Sequence, residues 1–377
     1  MSRALSFLIK PASGSCNMRC EYCFYADEMS HREVALYGKM SEKTLEAMVK
    51  KAFKADTAAV IFGFQGGEPL LMGLDFYEEF CALKKFYNKK GIPVKCTVQT
   101  NGTLINKNWA DFFSRENFLV GLSLDGPRSI NDSCRKDAEK EGTFKQILKA
   151  ADFLKESKTS FNILTVLTEK NAAEIERIYR FFISRNFMYQ QYIPCLDSLE
   201  NEGESSIYAL TGETYGQALK TLFDLWYEDT LKGRKVYIRY FENLIGIYAG
   251  LEPESCDMAG KCCPQYVIEA DGSVYPCDFY VLDKYRIGNI AQNSLEEIDR
   301  LRKESGFIEA SETLPEKCTS CPWRRICRGG CRRNRVFEEN GKPIDNRLCE
   351  AYEIFLPYAD ERLKYLAGLV RPGIKNR

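Results

Sequence analysis

The chain of 377 residues is 45% hydrophobic and 12% aromatic, enough to bury one large core with a smaller one appended, and disorder is set aside. Lys+Arg and Asp+Glu both total 53, so no overall field draws in nucleic acid or an anionic membrane, and any partner must be recognised at a local site. The apolar stretch Ala4 to Ile9 is too short for a signal-peptide core, and no run of about 18 apolar residues is present, so the chain reads as cytoplasmic and without a membrane segment.

From residue 4 to about 195, short apolar or β-branched runs alternate with helical periodicity. Strands are expected at Ala4 to Lys10, Ala58 to Gln65, Pro93 to Gln99, Phe118 to Leu124, Phe161 to Leu167 and Met188 to Ile193. Leu45, Met48, Val49, Ala52 and Phe53 recur at i, i+3, i+4, i+7 and i+8, one apolar face of a helix. Strand and helix in alternation mean a parallel sheet with right-handed crossovers. Six such units predict an α/β fold, a curved and partial (β/α)6 barrel.

The expected strand ends carry polar, glycine-bearing turns: Gln65-Gly66-Gly67-Glu68-Pro69, Gln99-Thr100-Asn101-Gly102-Thr103 and Ser123-Leu124-Asp125-Gly126-Pro127. In parallel α/β folds such turns share the rim where ligands bind. A helix is expected from about Thr214 to Leu231, after which the character changes. Beyond about residue 250, cysteine, glycine, arginine and proline dominate, and such a segment needs bound metal to organise it. The expected domains are therefore residues 1–240 and residues 241–377.

Sixteen cysteines in a reducing compartment point to metal or cluster ligation rather than disulfides. Cys16, Cys20 and Cys23 form C-x3-C-x2-C directly after the first strand. Three thiolates from one loop can hold three irons of a four-iron cubane and leave the fourth open. S-adenosylmethionine (SAM) can chelate that iron, and an electron from the cluster then yields a 5′-deoxyadenosyl radical. A zinc site wants a fourth ligand, and only His31 lies nearby, where a surface position is the simpler reading. Cys81 and Cys96 read as small hydrophobes, whereas Cys134 and Cys195 stand near the expected rim.

The triplet followed by Phe24-Tyr25, together with Gly66-Gly67-Glu68-Pro69, resembles the radical SAM superfamily. The resemblance implies that Gly66, Gly67 and Glu68 take the SAM amino group. It assigns Ser123 and Asp125 to the sugar or methionine end and Arg135 to the carboxylate. Where the family commonly has Ile-His-Asn ahead of that arginine, this chain has Ile130-Asn131-Asp132.

The run Cys318-x2-Cys321-x5-Cys327-x3-Cys331 resembles the SPASM extension, a cysteine-rich iron-sulfur domain. On that pattern Cys256, Cys262, Cys277 and Cys331 would hold one auxiliary cluster. Cys318, Cys321, Cys327 and Cys349 would hold a second, for three 4Fe-4S clusters in all. Cys263 adjoins Cys262, and the gap after Cys256 favours Cys262.

Asp278 directly follows Cys277, and a carboxylate beside an electron acceptor can take a proton while the cluster takes an electron. Tyr275 to Tyr280, Phe64 to Pro69 and Asn17 to Tyr25 resemble anaerobic sulfatase-maturating enzymes, which oxidise a cysteine, or in some members a serine, to formylglycine. That resemblance implies Asp278 as the base, Tyr25 and Gln65 at the substrate, and a sulfatase carrying a Cys-x-Pro-x-Arg motif as the client. It also implies an external electron donor such as flavodoxin or ferredoxin. The alternative is a SPASM peptide maturase forming thioether or carbon-carbon links. A third reading makes the C-terminal cysteines a metal-stabilised docking module without redox work.

Overall fold

Strand β1 (Leu5–Ile9) runs parallel to β2 (Val60–Phe64), which pairs in parallel with β3 (Val94–Thr100), and that with β4 (Phe118–Ser123). The computed structural model describes residues 4–199 and 208–374. Each strand starts or ends within two residues of its expected position, because β-branched and aromatic runs bounded by glycine and polar turns carry the signal. The helix Glu42–Lys54 buries Leu45, Met48, Val49, Ala52 and Phe53, the face its periodicity marks, and Ser41 caps it by accepting from Thr44 N–H. Aromatic rings fill the layer between sheet and helices. Phe64 meets Phe80 edge-on at 4.9 Å and Tyr77 at 5.1 Å, and Tyr77 meets Trp109 at 5.3 Å.

The chain divides into two compact units. The first contains Met1–Leu124, Asn131–Asn162 and Pro264–Phe307, and the second Asp125–Ile130, Ile163–Cys263 and Ile308–Arg377. A boundary near residue 240 thus marks a change of composition, while packing returns residues 264–307 to the N-terminal strands. The reason is ring stacking. Strand β8 (Tyr266–Ile268) adds in parallel to β1 on the edge opposite β2, and Phe7 lies between Phe62 at 5.5 Å and Tyr266 at 5.1 Å. β9 (Val274–Tyr275) then turns back antiparallel on β8.

In the second unit, most of β5 (Phe161–Leu167) precedes β6 (Tyr189–Pro194) and the short β7 (Tyr237–Ile238), all parallel. The helix Gly212–Leu231 packs against Cys349–Ile374. The approach is close at Gly216, where an added methyl would stand 2.9 Å from Ile354 Cβ. Strands β10 (Arg335–Phe337) and β11 (Pro343–Asn346) form an antiparallel pair among the cysteines. Parallel strands alternating with helices are the α/β class that the strand pattern predicts.

Candidate active site

The loop after β1 is built on backbone contacts that only glycine permits. Gly67 N–H donates to Ser13 O at 2.9 Å and Glu68 N–H to Ser15 O at 2.8 Å, so the turn after β2 lies flat on residues 13–15. A Cβ on Gly67 would fall 2.1 Å from Ser15 O, and Gly66 holds φ +123 with Ser13 O at 2.8 Å from its would-be Cβ. This contact sets the residues leading into Cys16. We expect Gly67→Ala to cost about 1–3 kcal/mol through overpacking, seen as an earlier urea midpoint.

Cys16, Cys20 and Cys23 line a cavity of about 660 Å³ with Gly14, Gly67, Tyr25 and Met29. Cys23 immediately precedes the helix Phe24–Ser30, and His31 closes that helix, its Nδ1 2.7 Å from Asp27 O. Burial pushes the Cys16 and Cys23 thiols upward, so ligation must displace their protons. The Cys16 sulfur accepts from Met18 N–H at 3.3 Å and from Asn101 Nδ2 at 3.8 Å, contacts that favour a thiolate. Among the described residues no three or more His, Cys, Asp or Glu side chains converge on a single-ion site. Three thiols round an open cavity fit a cluster with its own sulfides better than a closed zinc site, where four ligands meet at about 2.3 Å.

The rim residues divide by role. Glu68 is fully buried, and its carboxylate accepts from Leu70 N–H at 3.0 Å, Thr100 Oγ1 at 2.8 Å and Asn101 N–H at 2.8 Å. It therefore ties the turn after β2 to the turn after β3, and burial raises its carboxyl to about 7. Ser123 accepts from Gln99 Nε2 at 2.9 Å, and Arg135 donates to Tyr22 Oη at 2.8 Å. Gly66, Gly67, Glu68, Ser123 and Arg135 thus share the unit that carries the triplet. Asp125 belongs to the second unit, where it accepts from Val166 N–H at 3.1 Å.

Asp278 lies in the first unit, at the start of the single turn Asp278–Tyr280 after Cys277. One carboxylate oxygen accepts from Gln65 Nε2, and the other stands 2.5 Å from the Lys10 ammonium. Lys10 also lies over the Tyr25 ring, 3.8 Å from its centroid. Tyr25 is buried, its hydroxyl donating to Glu269, which Arg32 Nη1 also reaches at 2.7 Å. Burial lifts Glu28 to about 8 and Glu269 to about 7. Tyr25, Gln65 and Asp278, expected at the site from the sequence, stand together with Lys10, and Glu28, Arg32 and Glu269, which sequence reading does not single out, are buried close by. Lys10 carries a readable signal, being a lysine that directly continues the apolar run Leu5–Ile9.

In the second unit, Cys318, Cys321 and Cys349 all act electrostatically on Cys327, which burial pushes up to about 12. Cys331, Cys263 and Cys262 act likewise on Cys256, which also rises to about 12 through burial. Cys331 feels Cys262, whereas Cys256 feels both Cys263 and Cys262. Cys277 sits in the first unit. Arg335 anchors the cysteine loops: its guanidinium donates to the carbonyls of Ser311 at 2.6 Å, Thr313 at 2.9 Å and Gly330 at 3.1 Å. Cys81 and Cys96 are core residues, pushed by burial to about 12 and about 11. Cys134 and Cys195 are buried as well, at 5% and 8% exposure.

The sequence matches the radical SAM superfamily over residues 11–182 and an iron-sulfur cluster-binding domain, SPASM, over residues 261–322. A cysteine-type anaerobic sulfatase-maturating enzyme of Clostridium novyi is 46% identical over 97% of this chain and 98% of its own length. A serine-type counterpart from Bacteroides thetaiotaomicron is 29% identical over 99% of this chain and 94% of its own. The solved structure of native anSMEcpe with bound AdoMet and Cp18Cys peptide superposes with a TM-score of 0.92 at 43% identity. That superposition covers 97% of this chain and 99% of the other.

Proposed function

The chain belongs to the cysteine-type anaerobic sulfatase-maturating enzymes, and from that premise we propose how its own residues divide the work of turning a sulfatase cysteine into Cα-formylglycine. It is a radical SAM oxidoreductase, and SAM binds in the first unit's cavity beside Cys16, Cys20 and Cys23. These three thiolates would hold the first 4Fe-4S cluster. By the family's cysteine pattern, Cys256, Cys262, Cys277 and Cys331 would hold one auxiliary cluster, and Cys318, Cys321, Cys327 and Cys349 the other. When bound, the first cluster with SAM would supply the radical chemistry that oxidises the cysteine side chain, and the auxiliary clusters would supply an electron-accepting path.

The polypeptide supplies position and proton transfer. Gly66, Gly67 and Glu68 receive the SAM amino group, and the Glu68 carboxylate also ties this turn to the one after β3. Ser123 and Asp125 meet its sugar or methionine end and Arg135 its carboxylate. Gln65 and Tyr25 frame the substrate segment, and Asp278 takes the thiol proton on the oxygen that Gln65 now covers. Loss of that proton, one β-hydrogen atom and one electron leaves a thioaldehyde, which water converts to the aldehyde with release of sulfide.

The client is a sulfatase segment of the Cys-x-Pro-x-Arg type, and a flavodoxin or ferredoxin delivers the electron. No described helix is long and apolar enough to cross a membrane. We assign the protein to the cytoplasm, the compartment suited to exposed cluster thiolates. By their motifs, residues 1–240 would carry the radical-generating triplet and residues 241–377 most of the auxiliary cysteines, although residues 264–307 pack with the N-terminal strands.

The observation that carries the assignment of the base is Asp278 held between Lys10 and Gln65, directly after Cys277. We expect Asp278→Asn to go on releasing 5′-deoxyadenosine while aldehyde formation falls by about 100-fold or more. Mass spectrometry of a Cys-x-Pro-x-Arg peptide after anaerobic turnover measures both. An unchanged aldehyde yield would remove Asp278 from the reaction, and a cross-linked peptide would favour the maturase alternative.

A further inference from the structure

Lys10 is 0% exposed, continues β1, and donates its backbone N–H to Ile268 O at 2.8 Å. Its side chain passes beneath Gly66, whose would-be Cβ lies 3.1 Å from Lys10 Cβ, and ends over the Tyr25 ring. A buried ammonium is retained only where an anion meets it, since an apolar side chain of equal length would pack at lower cost. Glu28 and Glu269 feel the Lys10 charge. Among the described residues, Asp278 is the carboxylate within ion-pair distance, at 2.5 Å.

Asp278 has little else to hold it. It opens a three-residue turn whose preceding residue, Cys277, makes no side-chain cap. Its second oxygen meets Gln65, which is half-buried at the end of β2 and can yield to a substrate. Lys10 is closed off from solvent and cannot yield. A carboxylate gripped at one oxygen from inside and covered at the other by a replaceable amide has one productive orientation.

We propose that Lys10 is the positioning residue for Asp278, pinning Oδ1 inward so that Oδ2 is the oxygen presented to the substrate thiol. This rests on the reading of Asp278 as the base. A misplacement near 1 Å at a reacting group can lower a rate by about 100-fold, and that is the effect expected from losing the pin.

The test uses reconstituted holoenzyme with full iron content. Lys10→Met should lower kcat for aldehyde by about 100-fold while the peptide KM stays within about twofold and 5′-deoxyadenosine is still released. Lys10→Arg, which keeps a cation, should recover part of the loss. In the Asp278→Asn background Lys10→Met should cost nothing further. A crystal structure of Lys10→Met should show the Asp278 carboxylate rotated or displaced. The proposal is overturned if that carboxylate has not moved, if Lys10→Met costs as much in the Asp278→Asn background as in the unsubstituted enzyme, or if the loss appears in KM alone. Full aldehyde formation by Asp278→Asn alone would instead overturn the base assignment, and the crystal structure would still decide the pinning. Should Lys10→Met fail to fold with full iron, Lys10→Gln carries the same comparison.

Discussion

Cys20→Ala should abolish 5′-deoxyadenosine release altogether, with or without peptide. Cys16, Cys20 and Cys23 come from one loop and line one cavity. Three thiolates already leave a four-iron cluster one protein ligand short. Removing a second ligand position leaves two irons without a protein ligand, and Cys81 and Cys96, core residues that burial pushes far toward the neutral thiol, are not among the residues that line the cavity. Iron per chain should drop by about four atoms, with the auxiliary complement kept. Anaerobic iron and sulfide assay, together with chromatography of the nucleoside, measures both. Cys81→Ala is the control and should keep its iron. A Cys20→Ala protein that still cleaves SAM would mean the triplet is not the radical-generating site.

Much of this is legible from sequence because its signals are local. Six strands announce themselves as short β-branched or aromatic runs, and C-x3-C-x2-C lies within eight residues. Asp278 is found through its neighbour Cys277. What escapes depends on contacts across the chain. β7, β8 and β9 have two, three and two residues, too few for any period to register. Thus the addition of Tyr266–Ile268 to the free edge of β1 is invisible, and a boundary near residue 240 looks natural. Glu28, Arg32 and Glu269 stand in no motif that singles them out. Arg32 and Glu269 meet across 237 positions, and nothing in either neighbourhood tells a buried charge from a solvated one. The glutamate at position 68 carries a subtler ambiguity. Its place in the Gly-Gly-Glu-Pro turn suggests a ligand contact, whereas its carboxylate already serves Leu70, Thr100 and Asn101.

Cys327→Ala separates redox work in the second unit from mere docking. If the auxiliary cysteines hold clusters that accept the substrate's electron, this variant should still release 5′-deoxyadenosine but form aldehyde at less than about one hundredth of the normal rate. If the cysteines only stiffen a surface that holds the substrate, saturating peptide should restore turnover and the defect should lie in KM. Cys327 is the informative position because Cys318, Cys321 and Cys349 all bear on it, so its loss opens that set while leaving the ligands assigned to the other cluster. The unit also has order that does not depend on this thiol. Arg335 holds the carbonyls of Ser311, Thr313 and Gly330, and Asn346 Nδ2 donates to Gly329 O at 2.9 Å, so these loops keep charge-assisted and neutral bonds after the substitution. Far-UV circular dichroism and SAM cleavage by the same sample check that the first unit survives. Aldehyde formed at the normal kcat would place the electron's exit elsewhere, and loss of aldehyde with SAM cleavage intact would place it here.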